Sequence, residues 1–392
     1  MEIITKTSEL ENYCQQAADF DFITIDTEFL RESTYWPILC LIQAATTDRA
    51  VIIDPLENGL DLTPFFELLS NKNIVKVFHA ARQDIEIFVK LTGNVPQSTF
   101  DTQIAASVCG FGDSISYDNL VRSIVGAQID KSSRFTDWSA RPLTNKQLAY
   151  ALADVTHLRD IYTHLIEKIQ KNNRHIWVQD ENLALASKDT YIVRPKDAWK
   201  RLKTKVHRPR DLAALKLLAQ WREQKAQDKN LPRGRILKDD AIIELAVQRP
   251  TSAEKFERLR AVPRGFSRSS ATNEIVSLIK QVISLQSDQL PQVAKRNNSP
   301  SPKGPIGDLI RVLLKSISER EGVASKILAT SSDIDQLVLC DDADVPALKG
   351  WRREIFGQKA LAIKHGKLAL AATPNGIIEI PIDQPTPQKS RN

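Results

Sequence analysis

The chain has 392 residues, enough for two or three domains, and a hydrophobic share of 42% is enough to fill packed cores. No apolar run approaches the ~18 residues of a membrane span. The N-terminus lacks a signal peptide's charged start and cleavage site, and Cys14, Cys40, Cys109 and Cys340 form no Cys-x-x-Cys pair, which argues against zinc or a disulfide framework and fits a cytoplasmic protein. The net charge of +6 is uneven, with −9 over residues 1–190, +12 over 191–272 and +3 over 273–392, so an acidic module precedes a basic one of the kind that meets polyanions.

Short Ile/Val/Leu-rich runs at 22–29, 38–45, 50–54 and 74–78 read as strands. The first three leave no room for helices between them, so they form an antiparallel meander. Helices follow at 61–70, with Pro64 in the first turn, and at 85–91, 102–109, 117–125 and 145–169. The last starts at a capping box, Thr144 with Gln147. A mixed sheet covered by helices results. Beyond about 195, strand signals vanish until the extreme C-terminus. Helical apolar spacing marks 211–227, 239–248, 252–260 and 271–285, punctuated by Pro232, Gly234, Pro250, Pro263 and Gly265. The Gln-Ser-Asp and Asn-Asn-Ser-Pro-Ser-Pro segment over 286–305 reads as a flexible linker. A second helical module covers 306–372, with helices at 306–321, 324–328, 331–340 and 351–365, and 385–392 reads as a disordered tail.

Chemistry concentrates in the first module. Residues two apart on a strand share a face, so Asp26 and Glu28 stand side by side. Two neighbouring carboxylates repel, and burying either is unfavourable. A hard divalent cation removes both problems, although a solvated polar face would also explain them. Asp84 opens a helix after the 74–78 strand, where an Asp is commonly an N-cap. Tyr150 and Asp154 are i and i+4 on one helix face, an arrangement that a plain structural hydrogen bond would satisfy equally.

Together these segments resemble the three motifs of the DEDD exonuclease superfamily: Asp26-x-Glu28, Asp84 and Tyr150-x-x-x-Asp154, with Tyr marking the Tyr subclass. Tyr35-Trp36-Pro37, Phe78-His79-Ala80-Ala81-Arg82-Gln83-Asp84, Phe100-Asp101-Thr102-Gln103-Ile104-Ala105 and Asp137-Trp138-Ser139-x-Arg141-Pro142-Leu143 narrow the resemblance to the ribonuclease D family. It implies an α/β fold: a mixed-sheet RNase H-like exonuclease domain over 1–190, an HRDC helical domain over 205–285 and a second, HRDC-like all-α module over 306–372. It also implies a 3′–5′ exoribonuclease that trims RNA with a free 3′-hydroxyl, above all tRNA precursors, and releases nucleoside 5′-monophosphates. In that reading Asp26, Glu28, Asp84 and Asp154 hold two divalent ions, Mg²⁺ or Mn²⁺, and Tyr150 orients the attacking water.

Other residues carry looser expectations. Phe29 and Leu30 follow the acids and either stack on the terminal base or face the core. His79 reads as a strand-end packing residue, Asp101 as a turn or cap acid, and Trp138 as a support for the loop before Tyr150. Arg141 is a candidate phosphate contact. An acidic catalytic domain repels RNA, so the basic segment is expected to deliver it, through Lys200, Arg201, Lys203, Lys205, Arg208 and Arg210 and through the Arg233, Arg235 and Lys238 turn. A monomer with no membrane partner is expected. The competing readings are a 3′–5′ DNA exonuclease and a non-catalytic nucleic-acid-binding protein. A helicase fragment is excluded by the absence of a Gly-Lys-Ser/Thr phosphate loop.

Overall fold

The computed structural model describes residues 1–204, 206–293 and 304–382. Lys205, half of the expected linker (294–303) and the expected tail lie outside the described residues. The first module is built from β1 (Glu2–Ile4), α1 (Thr7–Ala17), β2 (Phe22–Leu30), β3 (Ile38–Ala45), β4 (Ala50–Ile53), α2 (Thr63–Ser70), β5 (Val75–Phe78), α3 (Arg82–Thr92), β6 (Thr99–Asp101), α4 (Thr102–Val108), α5 (Tyr117–Ile124), α6 (Asn145–Lys171) and α7 (His175–Ala186). Its six strands run in the order β1-β4-β3-β2-β5-β6. The β2–β3–β4 meander is antiparallel as expected, and β1, β5 and β6 join in parallel. Periodicity did not reveal β1, α1, β6 or α7. The two strands are three residues each, and α7 lacks a clean apolar stripe.

Strand β2 is central, and its alternation separates core from site. Ile23 and Ile25 are fully buried against α1, α2 and α3, among Leu10, Tyr13, Phe65, Ile85 and Phe88. The other face carries Thr24, whose hydroxyl donates to the Val155 carbonyl of α6 at 2.8 Å. Helix α6 starts at the predicted capping box. It buries Leu148, Ala151, Val155, Leu158 and Ile161 at helical spacing, which fixes the α6 face that looks onto β2.

The first helical module comprises α8 (Pro209–Asp228), α9 (Arg233–Ile236), α10 (Asp239–Gln248), α11 (Ala253–Phe256) and α12 (Ser270–Ser284). Two boundaries differ from expectation. The 3₁₀ segment Pro195–Arg201 precedes the expected start at 205, yet Ala198 and Leu202 pack into this module's core. Leu290, expected within the linker, packs there too. Residues 252–260 form only the single turn of α11, anchored by buried Phe256.

The second module comprises α13 (Pro305–Glu321), α14 (Ser325–Leu328), α15 (Ser331–Leu339), α16 (Gly350–Arg352), a π-helical stretch Arg353–Gly357 and α17 (Gln358–Lys364). It is not all-α. It ends in a hairpin of β7 (Leu368–Thr373) and β8 (Gly376–Pro381), turned at Pro374-Asn375, with Gly376 opening β8 at φ +118°. Leu368 and Leu370 lean on the helical core, and Glu379 pairs with Arg320 of α13 and Lys359 of α17, both at 2.8 Å.

Both helical modules dock on the first. Tyr35 donates to Glu223 of α8, and the Trp36 amide donates to Asn230 at 3.0 Å. On the second module, Trp351 stacks on Trp177 of α7 with ring centres 4.2 Å apart and planes at 9°, and the Ala324 amide donates to the Ser107 carbonyl at 2.9 Å.

Candidate active site

The acids gather at the C-terminal end of β2, between α3 and α6. One carboxylate oxygen each from Asp26, Glu28 and Asp154 lies within 4.8 Å of the other two. Opposite Glu28 the β2–β3 register slips: Glu28 pairs with Leu41 and Phe29 with Leu39, which leaves Cys40 as an extra residue. Such a bulge bends the sheet where it bears the site.

Asp84 stands apart from this trio, in the first turn of α3, buried, and accepts a hydrogen bond from the Thr27 hydroxyl at 2.5 Å. Thr27 alternates to the α3 face of β2, opposite Asp26 and Glu28, and so links the fourth acid to the strand of the first two. Asp84 nevertheless exerts the strongest neighbouring charge on Asp26, ahead of Asp154 and Glu28. Asp26 is thus the acid that feels both Asp84 and the Glu28–Asp154 pair.

Crowding sets the electrostatics. Burial, then the charges of Asp84, Asp154 and Glu28, hold Asp26 well above the usual carboxylate range. Glu28 is pushed up to about 9 by burial and by Asp154 and Asp84. Asp84 and Asp154 rise to about 7, chiefly by burial; hydrogen bonds from Thr27 and Tyr150, respectively, pull the other way. Four carboxyls in this position fit hard cations: the donor set is all oxygen, and a cation relieves both the burial and the repulsion.

A cavity of about 330 Å³ opens onto the acids, lined by Asp26, His79, Tyr117, Arg134, Tyr150 and Asp154. The Tyr150 phenol is shifted far upward by burial and then by Asp154, so it stays protonated. Arg134 lowers the pKa values of Glu28, Tyr150 and Asp154. It is exposed and has no acid within ion-pair distance among the described residues, and its neighbour Phe135 is 90% exposed. Sequence reasoning missed Arg134 and Thr27. The first sits in an irregular loop with no spacing rule, and the second reads as a spacer between two acids.

The remaining expectations resolve individually. His79 packs at the strand end, bonded to Thr102 and to the Ile115 carbonyl. Asp101 is a buried cap. Its carboxylate accepts from the Ala80, Ala81 and Gln103 amides at 2.8–3.0 Å and so holds both the start of α4 and the β5–α3 turn before Asp84. Trp138 is buried against the Tyr150 helix. Arg141, expected at phosphate, is already engaged. Its guanidinium donates twice to Asp54 at 2.6 Å and to the Trp138, Ala140 and Cys40 carbonyls, so it locks the loop instead. Phe29 is half-buried against the β2–α3 core, and Leu30 against the Trp138 cluster. Lys203, Arg208 and Arg235 are exposed, whereas Arg233 is half-buried, 3.5 Å from Asp239.

Comparison with known proteins agrees with this picture. The family described as 3′–5′ exonuclease matches residues 1–170, and the HRDC domain matches 211–279. Ribonuclease D of Nitrobacter hamburgensis is 48% identical over 97% of this chain and 99% of its own length; that of Bartonella henselae is 47% identical over 94% and 91%. The crystal structure of Escherichia coli RNase D, described as an exoribonuclease involved in structured RNA processing, superposes with a TM-score of 0.81 at 29% identity, covering 93% of this chain and 98% of that one.

Proposed function

The chain belongs to the ribonuclease D family of 3′–5′ exoribonucleases, and from that premise we propose that it trims tRNA precursors from a free 3′-hydroxyl end, with Asp26, Glu28, Asp84 and Asp154 holding two divalent ions, Mg²⁺ or Mn²⁺. The observation that carries this reading is the convergence of Asp26, Glu28 and Asp154 beneath Tyr150 and Arg134. When bound, such ions supply Lewis acidity and bring the pKa of a water toward neutrality.

The chain's own residues supply orientation. Tyr150, protonated throughout the working range, positions the attacking water and does not abstract its proton. Attack on the last phosphodiester breaks its bond to the 3′ oxygen and releases a nucleoside 5′-monophosphate. Arg134, which lines the same cavity, meets the non-bridging oxygens of that phosphate. Phe29 and Leu30 offer apolar surface to the terminal base. Lys203, Arg208, Arg233 and Arg235 contribute phosphate contacts on the basic module, whose charge offsets the acidity of the catalytic domain. All the acids come from one chain, so a monomer suffices, and the free cysteines suit the cytoplasm. No helix of the described residues is long and apolar enough to cross a membrane.

A matched test offers a tRNA precursor with a 3′ trailer, the same molecule ending in a 3′-phosphate, and a DNA oligonucleotide of the trailer sequence. Release of 5′-monophosphates from the first alone supports the reading. Equal release from DNA, or from the 3′-phosphate end, overturns it.

A further inference from the structure

A second cavity, of about 520 Å³, lies where the catalytic domain meets the first helical module. Arg31 and Arg82 come from one side, Arg201 and Arg233 from the other, with Tyr35 and Glu223 at the seam. Two carboxylates, Glu86 and Glu223, share this lining with four guanidiniums, so the cleft is cationic. Arg31 is held by Glu86 through two bonds of 2.8 Å, Arg201 stands 3.7 Å from Glu223, and Arg233 leans on Asp239. Arg82 is exposed and has no acid within ion-pair distance among the described residues. Junctions between domains are where ligands commonly bind, and guanidiniums match phosphate geometry.

Its position relative to the acids sets the occupant. Arg31 lies three residues beyond Glu28, one past the end of β2, and Arg82 two residues before Asp84 in the first turn of α3. At ~3.3 Å per extended residue, the backbone of Arg31 on the rim of the cleft lies at most about 10 Å from that of Glu28. A nucleic-acid strand advances ~3.4 Å per nucleotide in helical form, so this distance corresponds to about three nucleotides. We propose that the cleft is a phosphate subsite that grips the RNA backbone about three nucleotides upstream of the bond being cut. The inference rests on the reading that the basic module delivers RNA, and adds that delivery needs both walls: Arg82 from the nuclease, Arg201 and Arg233 from the module.

The test uses the full chain with Asp26→Asn, so that RNA is bound but not consumed, and follows a 5′-fluorescent RNA of about 12 nucleotides by anisotropy across a KCl series. Arg82→Ala is expected to weaken binding roughly five- to tenfold and to reduce the salt slope by about 0.7, the value for one phosphate contact on a single strand. Arg82→Lys keeps the slope, and Arg201→Ala on the opposite wall shifts affinity in the same direction. An RNA of about 3 nucleotides, too short to reach the cleft, loses less than about twofold. Unchanged affinity in Arg82→Ala, or an equal loss with short and long RNA, overturns the proposal. So does full displacement of the long RNA by micromolar adenosine monophosphate, which would make the occupant a free nucleotide. Arg235→Ala, on the module's exposed turn, reports on delivery separately: an unchanged slope there beside a reduced one in Arg82→Ala sinks delivery by the turn and leaves the cleft standing.

Discussion

Each carboxyl of the site is individually unfavourable where it sits, and the cluster makes sense only with positive charge among its members. The shifts give this a sign that can be measured. The folded pKa of Glu28 is about 9 and those of Asp84 and Asp154 about 7, against ~4 in an unfolded chain. Between those limits the folded, metal-free protein holds more protons than the unfolded one, so its stability falls as pH rises from about 4 to about 9. In EDTA the melting temperature should drop across this range, and Glu28→Gln should flatten the upper part of the drop. Cation binding requires deprotonated carboxylates, so Mn²⁺ affinity by calorimetry should rise over the same range; affinity independent of pH contradicts the assignment. Tyr150→Phe and Arg134→Ala should each lower kcat by about 10²-fold while leaving Mn²⁺ affinity within a few-fold, because each acts on water or phosphate. Asp84 read locally as an N-cap and joined the others only through the family resemblance, whereas the Asp26–Glu28 and Tyr150–Asp154 pairs were readable because strand and helix periodicities place residues two and four apart on one face. Arg134 was not, because a loop has no period. Arg141 misled because its charge suggests phosphate, whereas its partner Asp54 lies 87 positions away in sequence.

At the level of elements, the site depends on how β5 hands over to α3. Ala80 adopts φ +57°, unusual for a residue with a side chain. The buried carboxylate of Asp101, at the end of β6, holds it there through the Ala80 and Ala81 amides. Asp84 follows directly, so its placement is inherited from a neighbouring strand. Asp101→Ala leaves three amides without that acceptor and should destabilise the domain by about 3 kcal/mol in urea unfolding. It should also reduce activity by more than the unfolded fraction explains. Full activity in the folded fraction would show that the turn keeps its shape unaided. The sequence marked Asp101 as a cap, and it is one; that it also clamps a second element follows only from the β5–β6 pairing, a long-range contact invisible to local pattern. The C-terminal strand signal was visible, but not that its half-exposed strands pair as a hairpin and pack on the second helical module, which is again a long-range contact.

Across the whole molecule, acid and base are segregated and then brought into contact. The two helical modules follow one order: a long helix, a four-residue helix, then a helix of ten or nine residues that starts three positions after the short one ends. This common order supports the proposal that the second is HRDC-like as well. The second module lies against the end of α4, where Gly110 at φ +87° would place an added Cβ 2.6 Å from the Gly322 carbonyl oxygen. Gly110→Ala should therefore loosen this docking, seen as faster amide exchange over residues 322–328; unchanged exchange would mean that the contact carries little of the docking. The charge split and the linker's composition indicated separate modules, but not which surfaces meet, since the Tyr35–Glu223 and Trp177–Trp351 contacts join residues more than 170 positions apart. If the four acids hold divalent ions, they should hydrolyse RNA from its 3′ end. The most direct test is the digestion of a 5′-labelled RNA with Mg²⁺ or Mn²⁺, in parallel with EDTA and with Asp26→Ala. A ladder of progressively shorter labelled products should appear with metal and in neither control; a ladder that persists in EDTA or in Asp26→Ala would rule this chemistry out.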